Sequence, residues 1–181
     1  MGVVDQKDHH EGEFRDFVLA RRRALMRTAY LLTGDTGRAE DLVQTTLAKA
    51  FVAWRRVRAV DDPDAYVARI LINAHNSEQR RKRVREWLPG TVPDRAAADG
   101  AEAVADRSAL MAALATLAPR QRAVVVLRFW EDRSENDVAH LLGCSVGTVR
   151  SQASRGLAKL RTSPELSPLF DRSEVTRGLG L

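Results

Sequence analysis

Residues 134–161 read SENDVAHLLGCSVGTVRSQASRGLAKLR and contain two helical patterns separated only by Gly143, Cys144 and Ser145. A connection this short makes the two helices cross steeply. Gly143 supplies the positive φ that such a turn needs. The hydroxyl of Ser145 can accept hydrogen bonds from backbone N–H groups two or three residues later, which is typical of a helix N-cap. The stretch therefore predicts a helix-turn-helix.

Each helix of this motif has an apolar face. In the first helix, Val138, Ala139 and Leu142 share a face, and the small Ala139 lets the second helix approach closely. The second helix carries inward apolar residues at helical spacing: Val146, Val149, Ala153 and Leu157. The motif is therefore expected to pack on a core and to leave one side of its second helix exposed.

The outward side of the second helix is short and basic. It consists of Thr148, Arg150, Ser151, Ser154 and Arg155. A helix with such a face fits the major groove, where arginine can form two hydrogen bonds to guanine and serine can contact bases or phosphates. The N-terminus of the helix also favours phosphate. This face predicts DNA binding, and the alternative is a packed helical hairpin with a solvated basic face.

The composition agrees with a folded chain of one or two domains that binds a polyanion. The chain has 181 residues, of which 44% are hydrophobic and 29% are charged. Its 29 lysines and arginines exceed its 24 acidic residues, so the formal net charge is +5. A positive net charge favours an anionic partner, but it does not distinguish DNA from RNA or from an anionic membrane surface.

No segment has the pattern of a membrane span or a signal peptide. The longest apolar runs, such as residues 124–127, are far shorter than the roughly 20 residues that cross a bilayer. The N-terminal residues 1–14 carry early acids and lack an apolar core before a cleavage site. The single Cys144 agrees with a reducing compartment but is weak evidence. These features predict a cytoplasmic protein without a membrane partner.

The residues carry no pattern of a catalytic or metal site. His140 and Cys144 lie four positions apart, but a metal site needs more ligands and none are near in sequence. We find no phosphate-binding loop, no supported pair of carboxylates and no nucleophile with a base at motif spacing. We expect neither enzymatic activity nor a cofactor.

Helical spacing dominates the whole chain and predicts an all-α protein. The first helix is predicted over residues 14–32, the second from Asp35 or Thr36, and the third over residues 65–85. Between residues 87 and 104, prolines, glycines and small residues predict a flexible linker. The predicted organisation has a first domain, a linker, a second domain and a mobile tail, over residues 13–86, 87–104, 105–161 and 162–181.

The predicted second helix has a polar outward face. Its apolar stripe consists of Ala39, Leu42, Val43, Leu47, Ala50, Phe51 and Trp54. Glu40, Asp41, Gln44 and Lys49 fall largely outside this stripe. The face that they form is available for a partner.

The same helix contains the sequence EDLVQTTL at residues 40–47, which resembles a helix of bacterial sigma factors of the extracytoplasmic-function group. In that family the helix docks on the clamp of RNA polymerase. Asp41 and Gln44 match the family motif, whereas Thr45 stands where an acidic residue is more usual. The resemblance implies a polymerase contact through Asp41, Leu42, Gln44 and Thr45.

Residues 66–76, YVARILINAHN, resemble the segment with which this family melts the promoter and recognises its −10 element. The resemblance implies DNA contacts from Tyr66, Arg69, Asn73, Asn76, Arg80 and Arg81. An exposed aromatic ring can stack on an unpaired base, and the basic residues 80–85 can follow phosphates. The alternative is that Tyr66 packs internally and that the basic helix end only complements the helix dipole.

Residues 117–161 are similar to the domain with which the family recognises the −35 element. The family pattern L-P-x-x-Q-R appears here with Ala118 in place of proline, and residues 147–151, GTVRS, match the recognition helix. The resemblance implies a sigma factor that binds core RNA polymerase and promoter DNA and is not an enzyme. Whether an anti-sigma factor binds the chain stays open. The alternatives are a stand-alone helix-turn-helix regulator and, less favoured, an RNA-binding module.

Overall fold

The computed structural model describes residues 2–86 and 102–167, and every regular element in these two ranges is a helix. The all-α prediction is therefore confirmed for the described residues. The chain divides into two compact units, Met1–Thr91 and Val92–Leu181. None of the helices in the described ranges is both long enough and apolar enough to cross a membrane.

The first unit contains four helices: α1 (Gly2–Thr33), α2 (Thr36–Val52), α3 (Trp54–Val57) and α4 (Pro63–Glu86). Helix α1 begins well before the predicted Phe14, because its first turns lack the apolar stripe on which the prediction depended. The break between α1 and α2 is local. Gly34 adopts a φ of 77°, and the carboxylate of Asp35 accepts a 2.7 Å hydrogen bond from the backbone N–H of Arg38.

An aromatic cluster holds the first unit together. Ala50, Trp54, Val57 and Val67 are buried at its centre. The rings of Phe14 and Phe17 each lie 5.2 Å from Trp54, a distance at which edge and tilted aromatic pairs are favourable. This packing fixes the positions of α2 and α4, which carry the predicted polymerase and −10 residues.

Two residues depart from the predicted apolar stripe of α2. The helix ends at Val52, so Trp54 belongs to the separate short helix α3. Phe51 is 47% exposed, although its ring lies 5.0 Å from that of Phe14. Periodicity alone predicted one continuous stripe, because the bend at Ala53 depends on how Trp54 packs against α1.

The second unit contains α5 (Glu102–Ala115), α6 (Pro119–Val125), a π-helical segment (Val126–Trp130), α7 (Glu135–Leu142) and α8 (Val146–Arg161). All residues from 121 to 127 are buried, so α6 is the centre of this unit. Pro119 occupies the first turn of α6, where its missing N–H leaves no helix bond unmade. The side chain of Gln121 accepts a hydrogen bond from the N–H of Ala118 at 3.3 Å, so the backbone N–H of the N-cap residue has a partner.

The predicted linker and tail differ from the structure at their edges. Helix α5 begins at Glu102, inside the predicted linker, and residues 87–101 lie outside the described residues. At the start of the predicted mobile tail, Ser163 and Leu166 are buried. A turn places them there: the N–H of Leu166 donates to the carbonyl of Ser163 at 3.1 Å. Helical periodicity does not detect a turn. Residues 168–181 lie outside the described residues.

Candidate nucleic-acid interface

The turn between α7 and α8 has the geometry that its residues predict. Gly143 adopts a left-handed conformation with a φ of 62°, and the N–H of Cys144 donates to the carbonyl of Ala139 at 3.0 Å. The Ser145 hydroxyl accepts a 3.1 Å hydrogen bond from the N–H of Thr148, so α8 begins with a side-chain cap. Glycine and serine thus set the angle at which α8 leaves α7.

A second cap begins α7. The hydroxyl of Ser134 accepts from the N–H of Asp137 at 3.1 Å, and the Asp137 carboxylate accepts from the N–H of Ser134 at 3.2 Å. The Ser134 hydroxyl also donates to the Asp137 carboxylate at 2.5 Å, and this hydrogen bond is the main reason why the pKa of Asp137 lies below its ordinary value. This reciprocal pair stabilises the first helix of the motif from within.

The packing of the motif is close at its crossing points. Val138 and Val149 are fully buried, and Leu141 is buried where Leu142 had been predicted; Leu142 is half-buried. Both positions neighbour Val138 on a helix, three and four residues on, so periodicity could not separate them. Three of the four predicted inward residues of α8 are only half-buried: Val146, Ala153 and Leu157.

The close approach of α8 to α6 at Gly156 was not predicted from the sequence. Gly156 is buried in the middle of α8, and a Cβ there would lie 2.8 Å from the Cγ2 atom of Val125 on α6. Only glycine permits this approach of the two helices. A glycine inside an otherwise good helical pattern was the available signal, because glycine is unfavourable at such a position unless packing requires it.

The structure brings the predicted −35 residues together on one side of α8. Arg150, Ser151, Ser154 and Arg155 are exposed. Thr148 is half-buried, with its hydroxyl 2.9 Å from that of Ser145. This side therefore offers two cationic side chains and two hydroxyl groups on a rigid helix. Such a set can donate hydrogen bonds to base edges and phosphates.

An acidic residue, not predicted from the sequence, joins this face. The Nε atom of Arg150 donates to the Oε2 atom of Glu135 at 2.7 Å. The side chain of Glu135 is 33% exposed, whereas that of Arg150 is 69% exposed. The ion pair connects the first residue of α7 to the exposed face of α8.

The polar face of α2 is exposed as predicted, but one residue of the polymerase-contact set that the resemblance implied lies outside it. Asp41, Gln44 and Thr45 are exposed, and so is Glu40. Leu42 is 4% exposed and belongs to the core of the first unit, so its side chain is not part of the exposed face. The resemblance had included Leu42 because it lies inside the motif, yet the helical period turns it inward.

A cleft of about 390 Å³ runs along this face between α2 and α4. Arg38 on α2 donates through Nε and Nη2 to Glu78 on α4, at 3.1 and 2.9 Å. The residues that line the cleft include Asp41, Leu42 and Thr45 from the predicted polymerase set and Arg81 from the predicted −10 set. The other lining residues are Arg38, Lys49, Ala74, Ser77 and Glu78. The two predicted surfaces of the first unit are therefore adjacent.

The predicted −10 residues follow α4 but differ in exposure. Arg69, Asn73, Arg80 and Arg81 are exposed, whereas Asn76 is half-buried. An exposed aromatic ring was predicted at position 66, but Tyr66 is half-buried and packs against the aromatic cluster of the first unit. The ring packs on an apolar surface formed by Trp54 and its neighbours. The local sequence around Tyr66 does not show that this surface lies beside it.

Other features of the described ranges bear on the predictions. No group of three or more histidine, cysteine, aspartate or glutamate side chains within them could hold a metal ion, and Cys144 is a half-buried thiol.

Phe129 and Trp130, at the end of the π-helical segment, are 54% and 50% exposed. This aromatic pair on the surface of the second unit was not singled out from the sequence.

The chain matches two family models in the order that its two units imply. Residues 17–85 match sigma-70 region 2, and residues 107–160 match sigma-70 region 4. The first match contains the faces of α2 and α4, and the second contains the helix-turn-helix.

Similar proteins carry sigma-factor names. The RNA polymerase sigma-E factor of Streptomyces antibioticus is 40% identical over 161 residues, which cover 89% of each chain. The sigma-E factor of Streptomyces coelicolor is 41% identical over 149 residues, covering 82% of this chain and 84% of the relative. Among solved structures, the sigma factor RpoE of Bartonella quintana, in complex with the anti-sigma factor NepR, is 27% identical with a TM-score of 0.71. That match covers 86% of this chain and 98% of the other.

Two matched regions in the family order, together with relatives of about the same length, do not favour a stand-alone regulator. The chain belongs to the sigma-70 family of RNA polymerase sigma factors, within its extracytoplasmic-function group.

Proposed function

We propose that this sigma factor recognises the −35 element through the exposed side of α8 and the −10 element through α4, while the polar face of α2 docks on core RNA polymerase. The observation that carries the proposal is the arrangement of Arg150, Ser151, Ser154 and Arg155 on one exposed side of a helix capped by Ser145. Glycine at 143 and the cap hold that side at a defined angle to α7.

At the −35 element, the proposed mechanism is direct recognition in the major groove. Arg150 and Arg155 lie five residues apart on α8, so their side chains can reach neighbouring base pairs or one base and one phosphate. Ser151 and Ser154 supply shorter hydroxyl contacts. The positive N-terminal end of α8 adds an attraction for the phosphate backbone.

At the −10 element, the proposed mechanism is capture of an unpaired strand along α4. Arg69 and Asn73 are exposed one helical turn apart, and the basic residues Arg80 and Arg81 continue the line toward the end of the described helix. Cationic side chains favour binding of the strand mainly because they release counterions from its phosphates. Tyr66 is half-buried, so we expect it to support the local surface and to offer only part of its ring for stacking.

Docking on the polymerase is assigned to Asp41, Gln44 and Thr45, which are exposed together on α2. A carboxylate, an amide and a hydroxyl suit a polar, basic partner surface. In this scheme catalysis belongs to the polymerase and the chain itself is not an enzyme. Because the proposed partner is core RNA polymerase, we expect the chain to act in the cytoplasm. A protein of the anti-sigma class is the proposed regulator, since the Bartonella relative forms a complex with one.

Transcription in vitro by core RNA polymerase over a library of promoters tests this function. The chain is expected to direct initiation at promoters with one preferred −35 sequence, and Arg150→Ala is expected to weaken the preference at one base pair. A chain that binds operator DNA tightly alone and ignores core polymerase would instead be a stand-alone regulator. Unchanged promoter choice with Arg150→Ala would contradict the assignment of the recognition helix.

A further inference from the structure

The ion pair between Glu135 and Arg150 crosses the helix-turn-helix from its first helix to its recognition face. The contact is direct, with 2.7 Å between Oε2 of the carboxylate and Nε of the guanidinium. Glu135 is the less exposed partner, at 33% against 69% for Arg150. The carboxylate therefore lies on the protein side of the pair, and the outer end of the guanidinium is left toward solvent.

The atom that is bonded matters for DNA recognition. A guanidinium has five N–H groups, one on Nε and two on each Nη nitrogen. Glu135 occupies the Nε group, so the four Nη groups remain available. Two of them form the end-on fork that matches the O6 and N7 acceptors of guanine. The alternative side-on fork, which uses Nε, is blocked while the ion pair is intact.

We propose that Glu135 is a positioning residue for −35 recognition, which holds Arg150 with its Nη groups directed at a base. This inference rests on the proposed function of α8. An ion pair between such exposed groups adds little to the stability of the fold. Its effect falls instead on recognition, because an arginine already held in place loses less side-chain entropy when it binds DNA.

The reciprocal cap that begins α7 does not include Glu135, which makes the residue testable. Ser134 and Asp137 cap the helix through their own reciprocal hydrogen bonds. Glu135→Ala removes the acceptor for Arg150 and leaves that cap intact. Glu135→Gln removes the negative charge but keeps a side-chain oxygen that can accept from Nε. Asn136→Ala, at the exposed next position, is the matched control.

The experiment measures initial transcription rates by core polymerase with the full chain, over promoters that carry each single base-pair change in the −35 element. Arg150→Ala identifies the base pair on which that side chain acts. Glu135→Ala is expected to lower the preference at the same base pair by about threefold to tenfold, which is less than the loss of a whole bidentate contact because Arg150 itself remains. We expect Glu135→Gln to retain most of the preference and Asn136→Ala to retain all of it. The double variant of Glu135 and Arg150 should match Arg150→Ala alone.

Three results would overturn the inference. If Glu135→Ala and Glu135→Gln strengthen use of every promoter equally, the carboxylate acts only through its charge on the DNA backbone. If Arg150→Ala changes base preference and Glu135→Ala does not, the positioning role is wrong while the recognition helix stands. If Arg150→Ala changes no preference, the proposed function of α8 fails, and the inference fails with it.

Discussion

Gly156 shows how one missing side chain controls the packing of the second unit. The backbone of α8 approaches α6 so closely at this point that a Cβ would meet Cγ2 of Val125 at 2.8 Å and Cβ of Gln121 at 3.7 Å. Val125 and Gln121 are both buried, so neither has free space into which to move. The position of the exposed face of α8 therefore depends on a residue on the opposite side of the helix.

Gly156→Ala is predicted to destabilise the second unit. The added methyl group forces α6 and α8 apart, and such overpacking costs about 1–3 kcal/mol, more than the gain in helix propensity of about 1 kcal/mol. Thermal or urea unfolding of the chain measures the loss. Gly147→Ala is the control, since a Cβ there meets only the Ser145 hydroxyl oxygen at 3.8 Å. A Gly156→Ala protein as stable as the Gly147→Ala protein would contradict the close approach.

Local rules predicted residues whose roles depend on near neighbours, and missed residues whose roles depend on distant ones. Gly143 and Ser145 act within a few positions of themselves, and the structure confirms both. Glu135 meets Arg150 from 15 positions away, and Gly156 faces a different helix. No spacing rule within one helix contains those contacts, because the fold creates them.

At the scale of the element, capping decides how the helix-turn-helix is built. Helix α7 begins with the reciprocal Ser134 and Asp137 hydrogen bonds, and α8 begins with the Ser145 cap. Each cap satisfies backbone N–H groups that the helix leaves without a partner. The caps therefore fix where α7 and α8 begin, while Gly143 and Ser145 set the angle between them.

The cap of α7 is predicted to weaken at acid pH. The hydrogen bond from Ser134 lowers the pKa of Asp137 below its ordinary value of 3.8. A carboxylate with a depressed folded-state pKa stabilises the fold above its unfolded pKa, and this contribution disappears as the pH falls through the folded-state pKa. The stability difference between the parent chain and Asp137→Asn is therefore expected to be largest near neutral pH and to shrink below about pH 4.

Urea unfolding at several pH values measures this difference. Glu135→Gln is the matched control, because Glu135 belongs to the same first turn but takes no part in the reciprocal cap. A difference for Asp137→Asn that stays constant between neutral and strongly acid pH would contradict the ionised cap.

Element boundaries were predicted well where a capping residue marks them and poorly where tertiary packing does. The start of α2 follows from Asp35, a local N-cap. The end of α2 before Trp54 and the burial of Leu166 depend on surfaces formed by other helices. Tyr66 is the same case within the candidate site, since its burial depends on an aromatic cluster gathered from three other helices.

At the scale of the whole molecule, the candidate surfaces separate by chemistry. The exposed face of α2 is polar and contains Asp41, whereas the exposed residues of α4 and α8 contribute arginines. A surplus of five positive charges over the chain is therefore not spread evenly over the candidate surfaces. A protein partner at α2 and a nucleic acid at α4 and α8 fit this separation.

Asp41→Arg is predicted to impair polymerase binding without impairing the fold. The carboxylate is exposed on α2, so its reversal leaves the core untouched and replaces attraction to a basic partner surface with repulsion. Like charges brought together at an interface cost several kcal/mol, which corresponds to a loss of affinity of at least about tenfold. Fluorescence anisotropy of labelled chain titrated with core polymerase measures this loss.

Asp16→Arg supplies the control for that experiment, because Asp16 is an exposed acid on α1, outside the α2 face. Both variants change the net charge by the same amount, so general attraction to a charged polymerase affects them equally. A specific docking face makes only Asp41→Arg weak in binding, with unchanged thermal stability for both. Equal losses of affinity would point to net charge alone, and no loss for Asp41→Arg would remove α2 from the docking surface. In either case the promoter preference proposed for α8 is a separate measurement, since α8 belongs to the other unit.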